Sequence, residues 1–511
     1  MRNKIVNIVN FIRALEPRRP MDLHTPVLRQ LELAEKYRLP TTWLLQYDAL
    51  LDDYYVDLLK HAPADHEVGI WFEVVQPQTE ACGIPWRGRW AWDWHTDVGF
   101  SVGYTPEERE KLADEFVRLF REKFGFTPRS MGSWLFDAHL LRYLSDKYGI
   151  DAACNCKDQW GTDGYTLWGG YWANGYYPCR RNSYLPAQTA AEQIHVPVFR
   201  MLGSDPIYQS EAHLRKENGQ PVFTLEPTCS DRDRNPRGGG VPAWIDWFFR
   251  TEFADPVMGM AYAQAGQENP FGWEWMKPGL EYQYPLIAKL RDEGKITVAT
   301  LGDTGRWFKR KFPLTPATAV TALEDWQGNG REALWYMTRF GRVSLTRGED
   351  GTLYIRDWQL NSEDLAEPFL TGVCRTSACA YEALPVCDGM RWEARLAFLA
   401  DGAPLKGHFA RPEDKGGDVL EVKTADGKLA LALHDQTITF RYGFGVFALQ
   451  LERKETCGAE WKSADGALEY TYKGMRYRLT ADGAAIEVRN DRAFTVTANG
   501  PEIRLTARVC R

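Results

Sequence analysis

Apolar and polar positions along the chain fall into two regimes. Up to about residue 325, short apolar runs at 4–12, 41–46, 67–75, 129–135, 194–201, 256–264 and 295–301, with a weaker one at 151–156, alternate with helical patterns. That alternation predicts β-α units laid on a parallel sheet. The clearest helix follows Thr105-Pro106-Glu107-Glu108, which offers an N-cap hydroxyl, a proline at the first helical position and a glutamate at N3. Leu112, Phe116, Leu119 and Phe120 then recur on one face until Gly125. Asp137 predicts the cap of a second helix that turns Leu140, Leu141, Leu144 and Tyr148 inward and ends at Gly149, and Thr25-Pro26 opens a third. Seven or eight such units predict an α/β fold, a distorted seven-stranded (β/α) barrel over residues 1–325.

From about residue 330 the period shortens to two, and Asp-Gly turns punctuate it at 350–351, 401–402, 426–427, 465–466 and 482–483. Segments such as Lys428-Leu429-Ala430-Leu431-Ala432-Leu433 predict half-buried antiparallel strands. Residues 326–511 are expected to form an all-β sandwich domain, joined through the polar stretch Glu324-Asp325-Trp326-Gln327-Gly328.

Neither regime holds an apolar run of the roughly 18–20 residues that would span a bilayer, so no membrane partner is expected. The 511 residues carry 62 basic and 69 acidic side chains, scattered, for a net charge of −7, which argues against nucleic acid. Ten cysteines lack any Cys-x-x-Cys spacing. Cys154 and Cys156 alone are two ligands short of a closed zinc site, and no cofactor or metal is expected. Met1-Arg2-Asn3-Lys4 leads straight into the strand-like Ile5–Val9 rather than a secretory apolar segment, which predicts a cytoplasmic protein, or a periplasmic or secreted one had a signal segment been removed. Nothing in the pattern speaks to oligomeric state.

What departs from ordinary usage is the aromatic content, with 20 Trp and 23 Tyr. Many sit in two long connections. Residues 76–104 hold Trp86, Trp90, Trp92, Trp94, Phe100 and Tyr104, and residues 158–193 hold Trp160, Tyr165, Trp168, Tyr171, Trp172, Tyr176, Tyr177 and Tyr184. Loops of this length in a compact domain usually carry function, and flat rings suit the apolar faces of sugars, although packing beneath the loops is the competing use. Nucleophile-elbow and phosphate-loop motifs are missing, which leaves carboxylates at strand ends. Glu73 follows the third apolar run, Gln267 and Glu268 follow the run ending at Gln264, and Arg13 and Glu16 follow the first. Asp137 follows Gly132-Ser133-Trp134, and Asp158 and Asp163 follow the weaker run. A barrel gathers such positions at one mouth, where one protonated carboxyl can donate to a leaving oxygen while another carboxylate attacks, stabilises the cation or activates water. Glu73 and Glu268 are the first candidates for that pair, with Glu16, Asp137 and Asp158 behind them. Arg13, Trp92, Trp94, His95, Trp134, Trp160, Asp163, Trp168, Gln267 and Trp273 are expected to contact substrate. Each acid also has a bland use as a cap or ion-pair partner, and Asp137 fits an N-cap best of all.

With those residues in view, the first 325 positions resemble the polysaccharide deacetylase (NodB-like) superfamily and its glycoside hydrolase relatives of families 57 and 38. Ile5 to Arg13 looks like the first catalytic strand, Thr41-Thr42-Trp43-Leu44-Leu45 like the second, and His66-Glu67-Val68-Gly69-Ile70-Trp71 is similar to the deacetylase stretch beginning His-Glu-Ile-Gly. The runs from Asn10 to Arg18, Asp158 to Tyr165 and Val196 to Pro206 look more closely like an uncharacterised bacterial family noted only for potential hydrolase activity. The resemblance implies a seven-stranded barrel acting on carbohydrate. Deacetylases of that type hold a divalent metal with an Asp after the first strand and a His-x3-His pair after the third; here the first-strand loop has no Asp, and the stretch offers only His66, with Ile70 four places on. The family 38 His-x-Asp is absent too. Family 57 enzymes work without metal through a Glu and an Asp, which suits the acid-rich layout, although no complete family 57 motif is present. The expectation is a glycoside hydrolase acting on an oligosaccharide or glycan. The alternatives are a metal-dependent carbohydrate deacetylase with atypical ligands, for which His24, His95 and His139 are available, and a carbohydrate-binding protein without chemistry.

Overall fold

The computed structural model describes residues 3–162, 164–209, 223–228, 238–254 and 258–510. Eight parallel strands share one curved sheet: β1 (Lys4–Ile12), β2 (Thr41–Leu45), β3 (Glu67–Trp71), β4 (Ser130–Gly132), β5 (Ala152–Asn155), β6 (Val198–Arg200), β7 (Ala261–Ala265) and β8 (Thr297–Ala299). Their order is β7-β1-β2-β3-β4-β5-β6, with β8 also on β1 and the short antiparallel Gly175–Tyr176 beyond β6. The sheet is nearly closed, and it has eight parallel strands rather than seven, because the weak apolar run at 151–156 forms a full member between β4 and β6.

Strand periodicity explains the two cores. On β1, Ile5, Val9 and Phe11 face the barrel interior with Leu44 of β2 and Trp71 of β3, whereas Val6, Ile8 and Ile12 face the surrounding helices. The helix Pro106–Phe124 has the expected capping box between Thr105 and Glu108 and ends at Gly125, and Asp137 caps Ala138–Tyr148 by accepting from the Leu140 N–H. The helix His24–Tyr37 starts one residue before Thr25, and Asp22 rather than Thr25 accepts its first N–H groups.

The helix Leu301–Lys311 lies under the N-terminal ends of the strands. Its first turn donates the Leu301 N–H to Thr42 Oγ1 and the Gly302 N–H to the buried Glu67 carboxylate, both at 2.8 Å, an acid on a helix N-terminus. A Cβ at Gly302 would fall 2.2 Å from Glu67 Oε1, and one at Gly305 2.4 Å from the Asp151 carbonyl, so glycine is what lets this helix seat against the strands. The result closes the barrel at that end.

From Thr318 onward antiparallel strands dominate, in one sheet of ten strands and one of eight that share an apolar core including Leu345, Leu396, Phe398, Leu431, Phe440 and Leu505. Both residues of Asp401-Gly402 and of Asp465-Gly466 take positive φ, the requirement of a tight hairpin turn. This part of the chain also reaches the barrel: Cys379–Tyr381 pairs with Tyr165–Leu167 as the third strand of a small sheet, and Trp335 stacks on Trp172 at 4.4 Å.

Candidate active site

Because side chains alternate along a strand, residues two past an inward apolar position point up from the C-terminal rim. Arg13 stands two beyond Phe11, Gln46 two beyond Leu44 and Glu73 two beyond Trp71. The three meet. Arg13 grips Glu73 with its Nε and Nη2, at 3.1 and 2.9 Å from Oε2, and Gln46 Nε2 donates to the same oxygen at 2.8 Å. Glu268 arrives from the end of β7, with its Oε2 2.7 Å from Arg13 Nη1, an ion pair rather than an aligned hydrogen bond. Asn269 secures that junction, accepting from the Arg13 N–H at 2.9 Å and donating to the Arg13 and Leu23 carbonyls at 2.8 and 2.9 Å. Asp48 braces the next turn by accepting from the Ala14 and Leu15 N–H groups.

Aromatic rings surround these charges. The loop after β3 folds back through a bridge between Val75 and Trp92, which places the Trp92 ring 4.2 Å from the Arg13 guanidinium and its N–H 3.2 Å from Glu73 Oε2. Arg18 lies 5.3 and 5.2 Å from the Trp92 and Trp94 rings while it clamps Glu16. Beneath, Phe11 and Trp71 stack at 4.0 Å, and Trp134 meets both edge-on at 5.8 Å. Arg13, Glu16, Arg18, Glu73, Trp92, Trp94, Trp134 and Glu268, together with Arg19, Phe100, Tyr165, Pro270, Phe271 and Trp275, line a cavity of about 370 Å³. A larger cavity, about 880 Å³, opens near Asn3 and Lys4 at the other end of β1; Phe249, Phe253, Leu286 and Leu290 make most of its apolar wall, and none of the acids discussed above reaches it.

The acids differ in environment. Burial raises both Glu73 and Glu268 above the ordinary glutamate range. At Glu73 that push is opposed by the Arg13 charge, by its two-armed hydrogen bonding and by the Trp92 donor. Glu268 has the Arg13 ion pair against it but also the Glu73 charge beside it, and stands at about 7. For Glu16 burial is outweighed by the Arg18 hydrogen bonds, which hold its carboxyl below the usual value.

Of the residues expected at the site, Arg13, Glu16, Glu73, Trp92, Trp94, Trp134 and Glu268 share this cavity. Others do not line it. Asp137 caps its helix and pairs with Arg109 at 3.0 Å, both fully buried. Asp158 is sealed between Arg200 and Arg342, the second of which arrives from the antiparallel sheets and lies over Trp168. Gln267 is buried behind Glu268 and accepts its N–H, His95 packs against the edge of Trp94, Trp273 opens a helix and packs on the outer core, and Trp160 is exposed on its hairpin. Asp163 lies outside the described residues. His66, the one match to the deacetylase histidines, sits at the start of β3, far from the rim, and accepts from the Trp43 indole. The aromatics of 158–193 divide similarly: Tyr165 reaches the cavity, whereas Trp172, Tyr176, Tyr177 and Tyr184 are core. Gln46, Arg19, Phe271 and Trp275 were not anticipated, although the strand period past Leu44 would have found Gln46.

No protein-family model and no curated protein matches the chain. Solved structures do. A provisionally named glycoside hydrolase/deacetylase from Parabacteroides distasonis superposes with a TM-score of 0.54 at 16% identity, covering 75% of this chain and 90% of that one. The likeness shows a shared barrel fold. A provisionally named polysaccharide deacetylase from Mycobacterium smegmatis (TM-score 0.37, 14% identity, 61% of this chain and 93% of that one) and a family 57 branching enzyme from Thermococcus kodakaraensis, solved with glucose (0.30, 10%, 61% and 72%), also align. The fold is shared with that provisionally named glycoside hydrolase/deacetylase. As to the metal of the deacetylases, among the described residues no three His, Cys, Asp or Glu side chains converge as a ligand set, and the guanidinium of Arg13 lies between Glu73 and Glu268. The donor set does not fit a divalent ion.

Proposed function

We propose that the protein is a carbohydrate-processing hydrolase, and that this mouth cleaves a glycosidic bond with Glu268 as proton donor and Glu73 as the ionised carboxylate opposite. One observation carries the reading: two buried glutamates share an arginine but not an environment, with Glu73 held by four donor atoms and Glu268, among the described residues, by a single ion pair. Pairs of titratable groups pushed apart in this way mark acid and base roles. A carboxyl at about 7 keeps its proton near neutrality and can give it to a leaving oxygen. Glu73, fixed by Arg13, Gln46 and Trp92, is suited to stabilise positive charge on a sugar ring or to attack it. Trp94, Trp134, Phe271 and Trp275 offer the faces against which a sugar would lie. The fold, shared with a structure titled as a glycoside hydrolase/deacetylase, is compatible with that reading.

The test is a panel of oligosaccharides with two readouts, new reducing ends and free acetate, on the wild-type chain, Glu268→Gln and Glu73→Gln. Reducing ends that disappear in both variants, with unchanged circular dichroism, support the assignment. Acetate release without new reducing ends would replace it by a deacetylase, and turnover unchanged in both variants would remove these residues from the chemistry.

A further inference from the structure

Resting on that reading, we propose that the sugar held at this mouth is anionic, and that Arg19 receives its carboxylate or sulfate. The charges lining the cavity carry the inference. Arg13 is matched by Glu73 and Glu268, and Arg18 by Glu16. Arg19 completes the lining, and among the described residues it makes no ion pair and no hydrogen bond. With Glu268 holding the proton its role requires, three arginines face two carboxylates, and the surplus positive charge lies at the exposed rim, where substrate enters.

The backbone that carries Arg19 is constrained. Arg19 stands in Pro17-Arg18-Arg19-Pro20, where the proline after it restricts its backbone to extended conformations. Its neighbour Arg18 is pinned by Glu16, which accepts from both its backbone N–H and its guanidinium, and by the Trp92 and Trp94 rings. A planar fork presented from this turn suits the two oxygens of a carboxylate or two of a sulfate, and such charge-assisted pairs are about twice as strong as neutral ones. A neutral sugar would use the aromatic walls and leave this charge to water.

The test measures binding apart from turnover. Full-length Glu268→Gln is titrated, by quenching of tryptophan fluorescence, with matched pairs: oligogalacturonate and glucuronoxylan oligosaccharides against their carboxyl-reduced twins, and sulfated galactan oligosaccharides against desulfated ones. At least one anionic member should bind about tenfold or more tightly than its twin, the ratio should fall about tenfold with Arg19→Ala in the same background, and Arg29→Ala on a distant helix should leave the ratio alone. Raising salt from about 50 to about 300 mM should narrow the ratio as well. Which pair responds separates carboxylate from sulfate. Equal binding of every pair, no binding by any anionic member, or a ratio indifferent to Arg19→Ala overturns the inference. Tight, Arg19-dependent binding without bond cleavage by the wild-type chain would instead overturn the hydrolase reading and leave this one standing.

Discussion

Two buried arginines in this molecule have nearly the same surroundings and very different prospects. Arg13 bridges Glu73 and Glu268 and lies 4.2 Å from the ring of Trp92; Arg342 bridges Asp158 and Asp357 and lies 4.7 Å from Trp168. Both are almost completely excluded from solvent. At Arg342 a second arginine, Arg200, also pairs with Asp158, and the whole set is enclosed where the antiparallel sheets meet the barrel. At Arg13 the second acid keeps one face toward a cavity of about 370 Å³. Composition and burial therefore do not distinguish a site from a structural ion cluster. Access to an open, aromatic-lined space does.

The comparison can be broken experimentally. On the proposed roles, the largest effect is Glu268→Gln, expected to lower kcat by roughly 10²- to 10⁴-fold with a melting temperature equal to or above that of the wild type. A matching loss from Asp158→Asn in a still-folded protein would erase the distinction. Next comes stability: Arg342→Met strands Asp357 and leaves Asp158 with Arg200 alone in a closed interior, and should cost about 3–5 kcal/mol in urea unfolding, whereas Arg13→Met leaves acids that can take up protons through the cavity and should cost less. Equal costs would show the two clusters to be alike.

The pH profile gives a subtler test. The folded value of Glu268, about 7, lies above its ordinary 4.5, so the folded state binds that proton more tightly. Its contribution to stability is full below about 4.5 and declines as pH rises through about 7, and kcat/KM should fall over the same upper limb; Glu268→Gln should flatten both. Smallest is Asp48→Asn. Burial raises Asp48 to about 7 while it braces the turn after Arg13, and the amide keeps one acceptor, so a loss of about 1 kcal/mol is expected with a lesser drop in kcat/KM than at Glu268.

Much of the barrel was legible in the sequence, since each apolar run proposed as a strand overlaps one of the eight parallel strands. Such runs are local, and burial on both faces makes them conspicuous. Arg13, Glu73 and Glu268 were legible for a related reason: strand parity and strand ends are enough to bring them to one rim. Asp158 obeys the same parity, two beyond the inward Cys156, yet is covered by Arg342 from 184 positions later in the chain. No local pattern contains that encounter. Asp137 could be read both ways, and its helix took it. Trp275 was passed over for Trp273 because both sit in the first turn of one helix, where only packing decides which ring turns toward the cavity.

The stopper formed by Leu301–Lys311 has a consequence for traffic. With Gly302 and Gly305 drawn tight against the strand starts, the barrel is a blind vessel with one door. Whatever enters past Arg18 and Arg19 must back out the same way. On the proposed reading a polymer would be bitten from an end, or gripped side-on across the rim and let go, rather than reeled through the axis.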